Sequence, residues 1–320
     1  MGVLGAVLAI SAHEIILAVS DATSRRAATW KNARPRMSTP NYYTREYAPE
    51  DIQWVDGFAA PPAPGYRPFA ALSAAFKLLV NKEDTRQVFE VFSALAGRDG
   101  LDLFARFVAT PYGRRVVTEP VRLEHILGNR ETLRRYPEGS VARVYLDFME
   151  EDDLTPDGLI DAAEEAGLDF SGETQFEEYR RMMLHLDVSH DLWHVLTGYG
   201  RDSLGELCNL IYTYRNTGNI GIYLIVGIGL MAQKIERPGQ PIWKSLREAR
   251  RISDNSNWIM EHDVEALLSL PLGEARRVLN IATPVTYNAI PADIKANLLK
   301  PRIIKTQTER EERQSRAQTA

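Results

Sequence analysis

Apolar residues recur along most of the chain at the three- and four-residue spacing that places side chains on one face of a helix. The two-residue alternation of a half-buried strand is not sustained anywhere. Val88, Phe89, Phe92 and Leu95 show the helical pattern clearly. The spacing predicts helices at residues 84–96, 175–186, 187–196, 203–214, 220–234, 241–251, 256–268 and 292–299. We therefore expect an all-α fold.

Pro156 and Gly167 predict one further helix between them, since proline suits the first helical turn and glycine ends a helix. Prolines at seven positions between residues 35 and 68 predict a linker or wrapping arm instead of helix. The segment from Lys305 onward has almost no apolar residues and is expected to be disordered. The aromatic residues expected to anchor the arm are Tyr42, Tyr43, Trp54 and Tyr66.

These patterns predict an N-terminal apolar segment and Pro-rich arm at 1–69, a single large helical domain at 70–300 and a charged tail at 301–320. The first twenty residues are apolar but are interrupted by His13 and Glu14, and no basic residues precede them as in a secretory signal. This segment is compatible with an N-terminal helix. It is equally compatible with a start codon assigned too far upstream, with Met37 as the natural first residue.

A second apolar run, residues 220–232, is shorter than the roughly 20 residues that cross a bilayer, so we expect a helix that is buried or faces a membrane without spanning it. The charge balance is 38 Lys and Arg against 43 Asp and Glu, a net charge of −5, which argues against a general nucleic-acid binder. Cys208 is the single cysteine, so an internal disulfide and a multi-cysteine zinc site are excluded. Any metal ion must be held by histidines and carboxylates.

The most informative segment contains His190, Asp191 and His194, followed by Glu206 after eleven further residues. On a helix, the two histidines lie one turn apart and their imidazoles can reach one ion. Asp191 is offset by about 100° around the helix and can bind the ion or orient a histidine. Glu206 can face the histidines only if the chain turns at Gly198-Tyr199-Gly200. On an unbroken helix, Glu206 would point about 120° away from His194.

Other interpretations of these residues stay open at this point. Ser203 and Glu206 have the spacing of a capping box, in which the glutamate would bond a backbone amide. The His-Asp pair is also typical of a salt-bridged core histidine. His13, His125, His185 and His262 are interpreted as structural. Two imidazoles with one or two carboxylates favour Zn²⁺, while Fe²⁺ suits the same donors.

The motif around these ligands resembles the signature of the coenzyme Q biosynthesis protein 4 family. The similar stretches are 112–115, 136–140, 190–198, 204–206 and 276–284, so the resemblance covers about residues 110–285. It implies an all-helical protein whose motif residues His190, Asp191, His194 and Glu206 bind a divalent ion, usually zinc. It also implies a role in ubiquinone synthesis, a peripheral membrane location and organisation of other enzymes of the pathway.

The resemblance further implies a metal-dependent decarboxylase, a lyase that removes the ring carboxylate at C1 of a polyprenylated hydroxybenzoate. The reaction could be an oxidative or a simple decarboxylation. We expect the location to be cytoplasmic and peripheral on the inner membrane, or on the matrix face in a mitochondrion, and we expect a homo-oligomer. Leu78, Leu79 and the helix starting at Ile220 are the expected membrane contacts.

Glycines in the 220–232 helix indicate that another part of the protein or a ligand packs closely against this helix. Without such a contact they would be unfavourable, because each costs about 0.5–1 kcal/mol relative to alanine in a helix. A groove for a polyprenyl or other isoprenoid tail and ordinary helix packing explain them equally well. The residues expected in a lipid groove are Ile220, Gly221, Leu224, Gly227 and Ile228.

Two other functions are compatible with the sequence. The first is a lipid-binding scaffold in which the metal only joins two helices. The second is an HD-type phosphohydrolase, which would require His125 and Asp263 as further ligands and leaves Glu206 unexplained.

Overall fold

The computed structural model describes residues 42–80, 85–119, 122–151, 153–168, 170 and 172–298. The expectations for the first 41 residues and for the tail from residue 299 lie outside the described residues. Within the described ranges the protein is built almost entirely from helices, as the apolar spacing predicted.

The elements follow one another in chain order. A small sheet is formed by β1 and β2, and the helices before the candidate site are α1–α9. Their bounds are β1 Gln53–Val55, β2 Phe58–Ala60, α1 Pro68–Val80, α2 Thr85–Ala94, α3 Asp99–Val108, α4 Pro111–Thr118, α5 Leu123–Gly128, α6 Arg130–Arg134, α7 Val141–Glu151, α8 Asp157–Glu165 and α9 Glu177–Val188.

The remaining helices include the two that carry His190, His194 and Glu206, α10 and α11. The bounds are α10 His190–Thr197, α11 Ser203–Thr217, α12 Gly221–Glu236, α13 Ile242–Asn255, a 3₁₀ turn at Ile259–Glu261, α14 Val264–Ser269, α15 Leu272–Val278, α16 Val285–Asn288 and α17 Ala292–Asn297.

The Pro-rich arm contains the two short strands, which the sequence did not predict. They pair antiparallel, with Gln53 opposite Ala60, around a turn at Asp56-Gly57 in which both residues have positive φ. Tyr43 anchors the arm as expected, since its buried ring contacts Phe170 at a centroid distance of 5.6 Å.

The other expected anchors behave differently from one another. Tyr42 packs partly buried against the core and donates a hydrogen bond to the carbonyl of Pro62. Trp54 and Tyr66 are instead 69% and 65% exposed, so they do not serve as buried anchors of the arm. Because alternate residues of a short strand face opposite sides, Trp54 points away from the core while its strand remains paired.

The helix predicted at residues 256–268 is wrong. The chain forms a 3₁₀ turn there, breaks at His262-Asp263 and then begins α14. Asp263 causes the restart, because its side chain accepts a hydrogen bond from the amide of Ala266 and so caps the new helix.

The buried apolar residues form two clusters, and the candidate site lies where they adjoin. α10 contributes Leu192, Trp193 and Leu196 to the first cluster. The first half of α11 contributes Leu204 and Leu207 to the second. The short connection between these helices is therefore fixed by packing on both sides.

Among the described residues, each helix is too short or too polar to cross a bilayer.

Candidate metal site

The two motif histidines lie on a nearly continuous helical rod made of α9 and α10. Ser189 joins the helices in a right-handed helical conformation, and its carbonyl accepts a hydrogen bond from the amide of Trp193 at 3.0 Å. Burial of Leu192 and Trp193 fixes the rotation of α10 about its axis. His190 and His194, one turn apart, consequently project from the same side, as their spacing predicted.

A sharp turn after α10 brings the chain back to the histidines. Gly198 has a φ of +83°, the left-handed conformation that ends a helix, and its amide donates to the carbonyl of His194 at 2.8 Å. A side chain on Gly205 would lie 2.0 Å from the carbonyl oxygen of Gly200, so only glycine permits this approach of α11 to the turn. We call residues 198–202 the elbow.

Asp202, and not Ser203, caps the start of α11. Its carboxylate accepts hydrogen bonds from the amides of Leu204 and Gly205, both at 3.1 Å, whereas the Ser203 hydroxyl donates to the carbonyl of Leu298. The capping-box interpretation is thus wrong. Since Asp202 supplies the cap, the side chain of Glu206 extends toward the histidines.

Three donor atoms from α10 and α11 converge. The His190 Nε2 and His194 Nε2 atoms are 3.2 Å apart, and the Glu206 Oε2 atom lies 3.5 Å from the first and 3.3 Å from the second. Ligands about 2.0–2.1 Å from a tetrahedral zinc ion are separated by about 3.3–3.4 Å. The three donors therefore have the separations that a single ion of this kind requires.

The tautomer of His194 is fixed by the elbow. Its Nδ1 atom lies 3.0 Å from the carbonyl oxygen of Tyr199, which can only accept, so Nδ1 carries the proton. With this proton on Nδ1, Nε2 is the ring nitrogen available to bind an ion beside Glu206 and His190. Metal-ligating histidines are commonly held through their other nitrogen in this way.

Asp191 lies beside the histidines. Its carboxylate and one ring nitrogen of each histidine are within 4.8 Å of one another, a group capable of holding a metal ion. At this separation Asp191 can either bind the ion as a fourth ligand or accept a hydrogen bond that orients one of the histidines.

The charges of the site are strongly coupled. Burial disfavours ionisation of Glu206, but the two imidazoles outweigh burial and hold the pKa of this carboxyl well below its usual range. Burial opposes the charged form of His190, yet the hydrogen bond and charge of Glu206, with Asp191 and Asp187, raise the pKa of its ring. The carboxylate and imidazoles thus favour a positive charge between them, which a bound cation would also supply.

Helix α7 forms one wall of the site. Phe148 stacks on the His194 ring at 5.7 Å, and Arg201 of the elbow lies over Phe148 at 5.8 Å. Three residues earlier on α7, the buried hydroxyl of Tyr145 has no hydrogen-bond partner within the described ranges. The Asp191 charge contributes to the raised pKa of Tyr145, after burial. Sequence reasoning missed Tyr145 and Phe148 because α7 is distant from the motif in the chain. It missed Arg201, which lies inside the motif segment, because arginine is not a metal ligand.

Two further polar residues near His190 were missed. One carboxylate oxygen of Asp187 is buried without a partner among the residues described, and burial raises the pKa of Asp187 to about 7. The Asn209 amide donates weakly to the His190 carbonyl at 3.5 Å, while its own oxygen is unpartnered in the same part of the chain. Their spacings, three residues before His190 and three after Glu206, were signals in the sequence.

The other described histidines are separate from this group. His185 is buried, stacks on Phe107 at 5.8 Å and contacts Tyr112, as expected for a structural histidine. His125 is exposed on α5. Neither His125 nor Asp263 belongs to the group of possible metal ligands found within the described ranges, so the arrangement that a phosphohydrolase would need is not formed there.

The glycines of α12 have different surroundings. A side chain on Gly221 would lie 3.0 Å from the carbonyl oxygen of Val91, and one on Gly229 would meet the Leu207 side chain at 2.7 Å. These two positions serve helix packing. Gly227 faces open space, with nothing within 4 Å, so the space expected for a lipid exists only there among the three.

The fold and the donor set define an all-helical protein with two histidines and a carboxylate arranged around one point. The sequence model of the family described as coenzyme Q (ubiquinone) biosynthesis protein Coq4 matches residues 64–285, well over half of the chain. The chain therefore belongs to the Coq4 family. The match begins upstream of the stretch 110–285 that carries the motif resemblance.

Individual relatives are more distant. A curated relative from Anopheles gambiae, a mitochondrial ubiquinone biosynthesis protein COQ4 homolog, is 24% identical over 188 residues, which are 58% of this chain. The chain covers 63% of that relative, less than two thirds of its length.

A solved structure has the same fold. The crystal structure of a candidate ubiquinone biosynthesis protein from Nostoc punctiforme PCC 73102 is similar with a TM-score of 0.50 and 16% identity. The similarity covers 67% of this chain and 98% of that one. At this identity the likeness concerns the fold alone.

Proposed function

We propose that this protein binds one divalent ion, Zn²⁺ or Fe²⁺, through His190, His194 and Glu206, and acts as a decarboxylase in ubiquinone synthesis. The observation that carries this proposal is the convergence of the three donors at 3.2–3.5 Å. Asp191 completes the ligand set or orients His190. The proposed substrate is a polyprenylated hydroxybenzoate that loses its C1 carboxylate.

The donor set fits the proposed ions by its chemistry, because imidazole and carboxylate are ligands of both zinc and iron(II). A bound ion would supply Lewis acidity that stabilises negative charge while CO₂ leaves. The residues around it orient the substrate. Phe148 offers a flat apolar wall for an aromatic ring, and the Arg201 guanidinium above it supplies a positive charge for a carboxylate.

An exposed apolar face of α12 supports the isoprenoid part of the substrate. Ile220 and Met231 are 51% and 67% exposed, and with Gly227 and Ile228 they recur at helical spacing along one side. The same helix packs on α11 through Gly229 and Leu207, directly after Glu206. Gly229 is about 200° around the helix from Gly227, so the exposed side of α12 faces away from α11. Leu224, also proposed for the groove, is partly buried there.

Helix α1 extends this apolar surface and supports a peripheral membrane location. It packs against α12, and its residues Phe69 and Leu72 are 86% and 57% exposed. Lys77 and Lys234 are exposed on the two helices, and basic residues beside apolar ones favour binding to an anionic bilayer. Of the two leucines proposed earlier for this contact, Leu78 packs partly buried against the second core cluster. The proposed location is the inner membrane surface, on the cytoplasmic or matrix side.

Other enzymes of ubiquinone synthesis and further copies of this chain are the proposed protein partners. Large exposed apolar residues outside α12, such as Trp243 and Val285, are compatible with such contacts. These assignments depend on the family and on no particular contact.

The decisive experiment compares wild-type protein with E206Q and H190A, each incubated with the same excess of metal. Release of CO₂ from a prenylated hydroxybenzoate is measured with and without oxygen, so that simple and oxidative loss are distinguished. H125A, in which an exposed histidine on α5 is removed, is the matched control. We expect activity only in wild-type protein and the control. Unchanged turnover by folded E206Q would refute the proposal.

A non-catalytic scaffold is the second candidate. It is favoured by one observation: the proposed ligands come from α10 and the first half of α11, whose apolar residues belong to different core clusters. An ion there would join the two halves of the fold without chemistry. Binding of metal and prenylated lipid at one equivalent each, without turnover under either atmosphere, would support this role.

A further inference from the structure

The end of the histidine helix is held from a distant part of the chain. The guanidinium of Arg276, on α15, donates hydrogen bonds to the carbonyl oxygens of Leu196 at 2.8 Å and Val195 at 3.0 Å. The last carbonyls of a helix lack partners within it, so these bonds satisfy the final turn of α10. A side chain on Gly198 would lie 3.0 Å from the same guanidinium.

The opposite side of the elbow is held by Tyr287. Its hydroxyl accepts a hydrogen bond from the amide of Gly200 at 2.9 Å and donates to the second carboxylate oxygen of Asp202. The first oxygen of Asp202 caps α11. Tyr287 also packs edge-on against Tyr199 at 5.2 Å, and the Tyr199 carbonyl binds His194.

One continuous segment thus contacts both ends of the elbow. The segment covers residues 276–298. Its last residue, Leu298, accepts a further hydrogen bond at its carbonyl from Ser203, the first residue of α11. The family match ends at residue 285, so Tyr287 and Leu298 lie beyond it. The histidines are on one side of the elbow and Glu206 is on the other.

We infer that Arg276 and Tyr287 are positioning residues that set the separation between His194 and Glu206, and with it the affinity and geometry of the metal site. The inference rests on the proposed metal binding. Arg276 fixes where α10 ends, and Tyr287 fixes where α11 begins. With either contact removed, the elbow can relax and the 3.3 Å separation of the ligands is no longer imposed.

Binding of Co²⁺ provides the test, because this ion replaces zinc and its visible absorption reports coordination geometry. The variants are R276K, which keeps the charge but loses the planar fork, and Y287F, which loses only the hydroxyl. The control is R130K, because Arg130 donates to the Leu154 carbonyl at 2.8 Å on an unrelated part of the surface. Affinity is measured by competition with a chelator, and folding by circular dichroism.

We expect R276K and Y287F to bind Co²⁺ at least tenfold more weakly than wild type, with a weaker visible band, while R130K stays within twofold. Wild-type affinity and spectrum in both variants would overturn the inference. If Y287F fails to fold, D202N replaces it, because asparagine preserves the helix cap but weakens the contact with Tyr287. Wild-type protein that binds no Co²⁺ would instead refute the metal site itself, a failure seen before any variant is compared.

Discussion

His194 donates the hydrogen of its Nδ1 atom to the carbonyl oxygen of Tyr199, only five residues later, at 3.0 Å. The turn that redirects the chain toward Glu206 therefore also orients the imidazole that faces Glu206. Because His194 is buried, its ring has little freedom to adopt another orientation. One local feature, the elbow, sets both the position and the tautomer of a proposed ligand.

Replacing Gly205 with alanine tests the close contact between α11 and the elbow. The new methyl group would lie 2.0 Å from the Gly200 carbonyl oxygen, so α11 must move away from the turn. Overpacking of this kind typically costs about 1–3 kcal/mol, and we expect at least the upper end for G205A. Urea unfolding measures the loss. Gly227, which faces open space, gives the matched control, and G227A should cost nothing or stabilise its helix slightly.

Replacing Gly198 with alanine separates backbone strain from the contact with Arg276. Gly198 and Gly218 both end helices with positive φ, at +83° and +77°. Alanine in this conformation costs about 1–2 kcal/mol. A side chain at Gly198 must also displace the Arg276 guanidinium, whereas one at Gly218 meets nothing closer than 4.0 Å. G198A should therefore lose about 1–2 kcal/mol more than G218A, because two hydrogen bonds are disturbed. Equal losses would show that Arg276 adjusts freely.

His185 makes stability depend on acidity. Burial lowers the pKa of His185 to about 4, whereas an unfolded histidine titrates near 6.5. Between these values the unfolded chain binds a proton that the folded chain does not. The contribution of His185 to stability therefore decreases as the pH falls from about 6.5 to about 4, by about 3 kcal/mol in all, and is constant above and below this window.

The H185L variant isolates this contribution from other titrating groups. The free energy of unfolding of metal-free protein is measured in urea at several pH values. We expect wild type to lose about 3 kcal/mol relative to H185L between pH 6.5 and pH 4. A difference between the two proteins that does not change with pH would mean that His185 takes up a proton as easily in the folded protein as in the unfolded chain.

Metal binding should stabilise the folded protein, because the proposed ligands converge only when α10 and α11 are in place. At a free ion concentration 100 times the dissociation constant, the gain is about 2.7 kcal/mol. The unfolding midpoint of wild-type protein should rise with Zn²⁺ and return with chelator. E206Q, which keeps the size of the side chain, should show little shift. A similar rise in E206Q would indicate that the ion binds elsewhere.

Much of the helical fold followed from the sequence, since apolar spacing, proline and glycine are local signals. The elbow followed from Gly198 and Gly200, and the histidine pair followed from its spacing. The interpretation of Ser203 failed for a physical reason: Asp202, one residue earlier, is a better acceptor for the amides of the first turn.

Contacts between distant parts of the chain could not be predicted in this way. Phe148, Arg276 and Tyr287 reach the site from helices that lie about 45, 80 and 90 residues from His194. Arg276 begins one of the stretches similar to the family, but no local pattern indicates what any of the three contacts. The lipid face was predicted only in part, because glycine in a helix permits either close packing or open space. Gly221 is in the first situation and Gly227 in the second.

X-ray absorption at the zinc edge tests the central claim most directly, because it counts and identifies the ligands of the bound ion. For wild-type protein holding one ion, we predict two imidazole nitrogens at about 2.0–2.1 Å and oxygen ligands at about 2.0–2.2 Å. In H194Q one imidazole should be missing. A spectrum showing sulfur from Cys208, or two imidazoles still present in H194Q, would contradict the site formed by His190, His194 and Glu206.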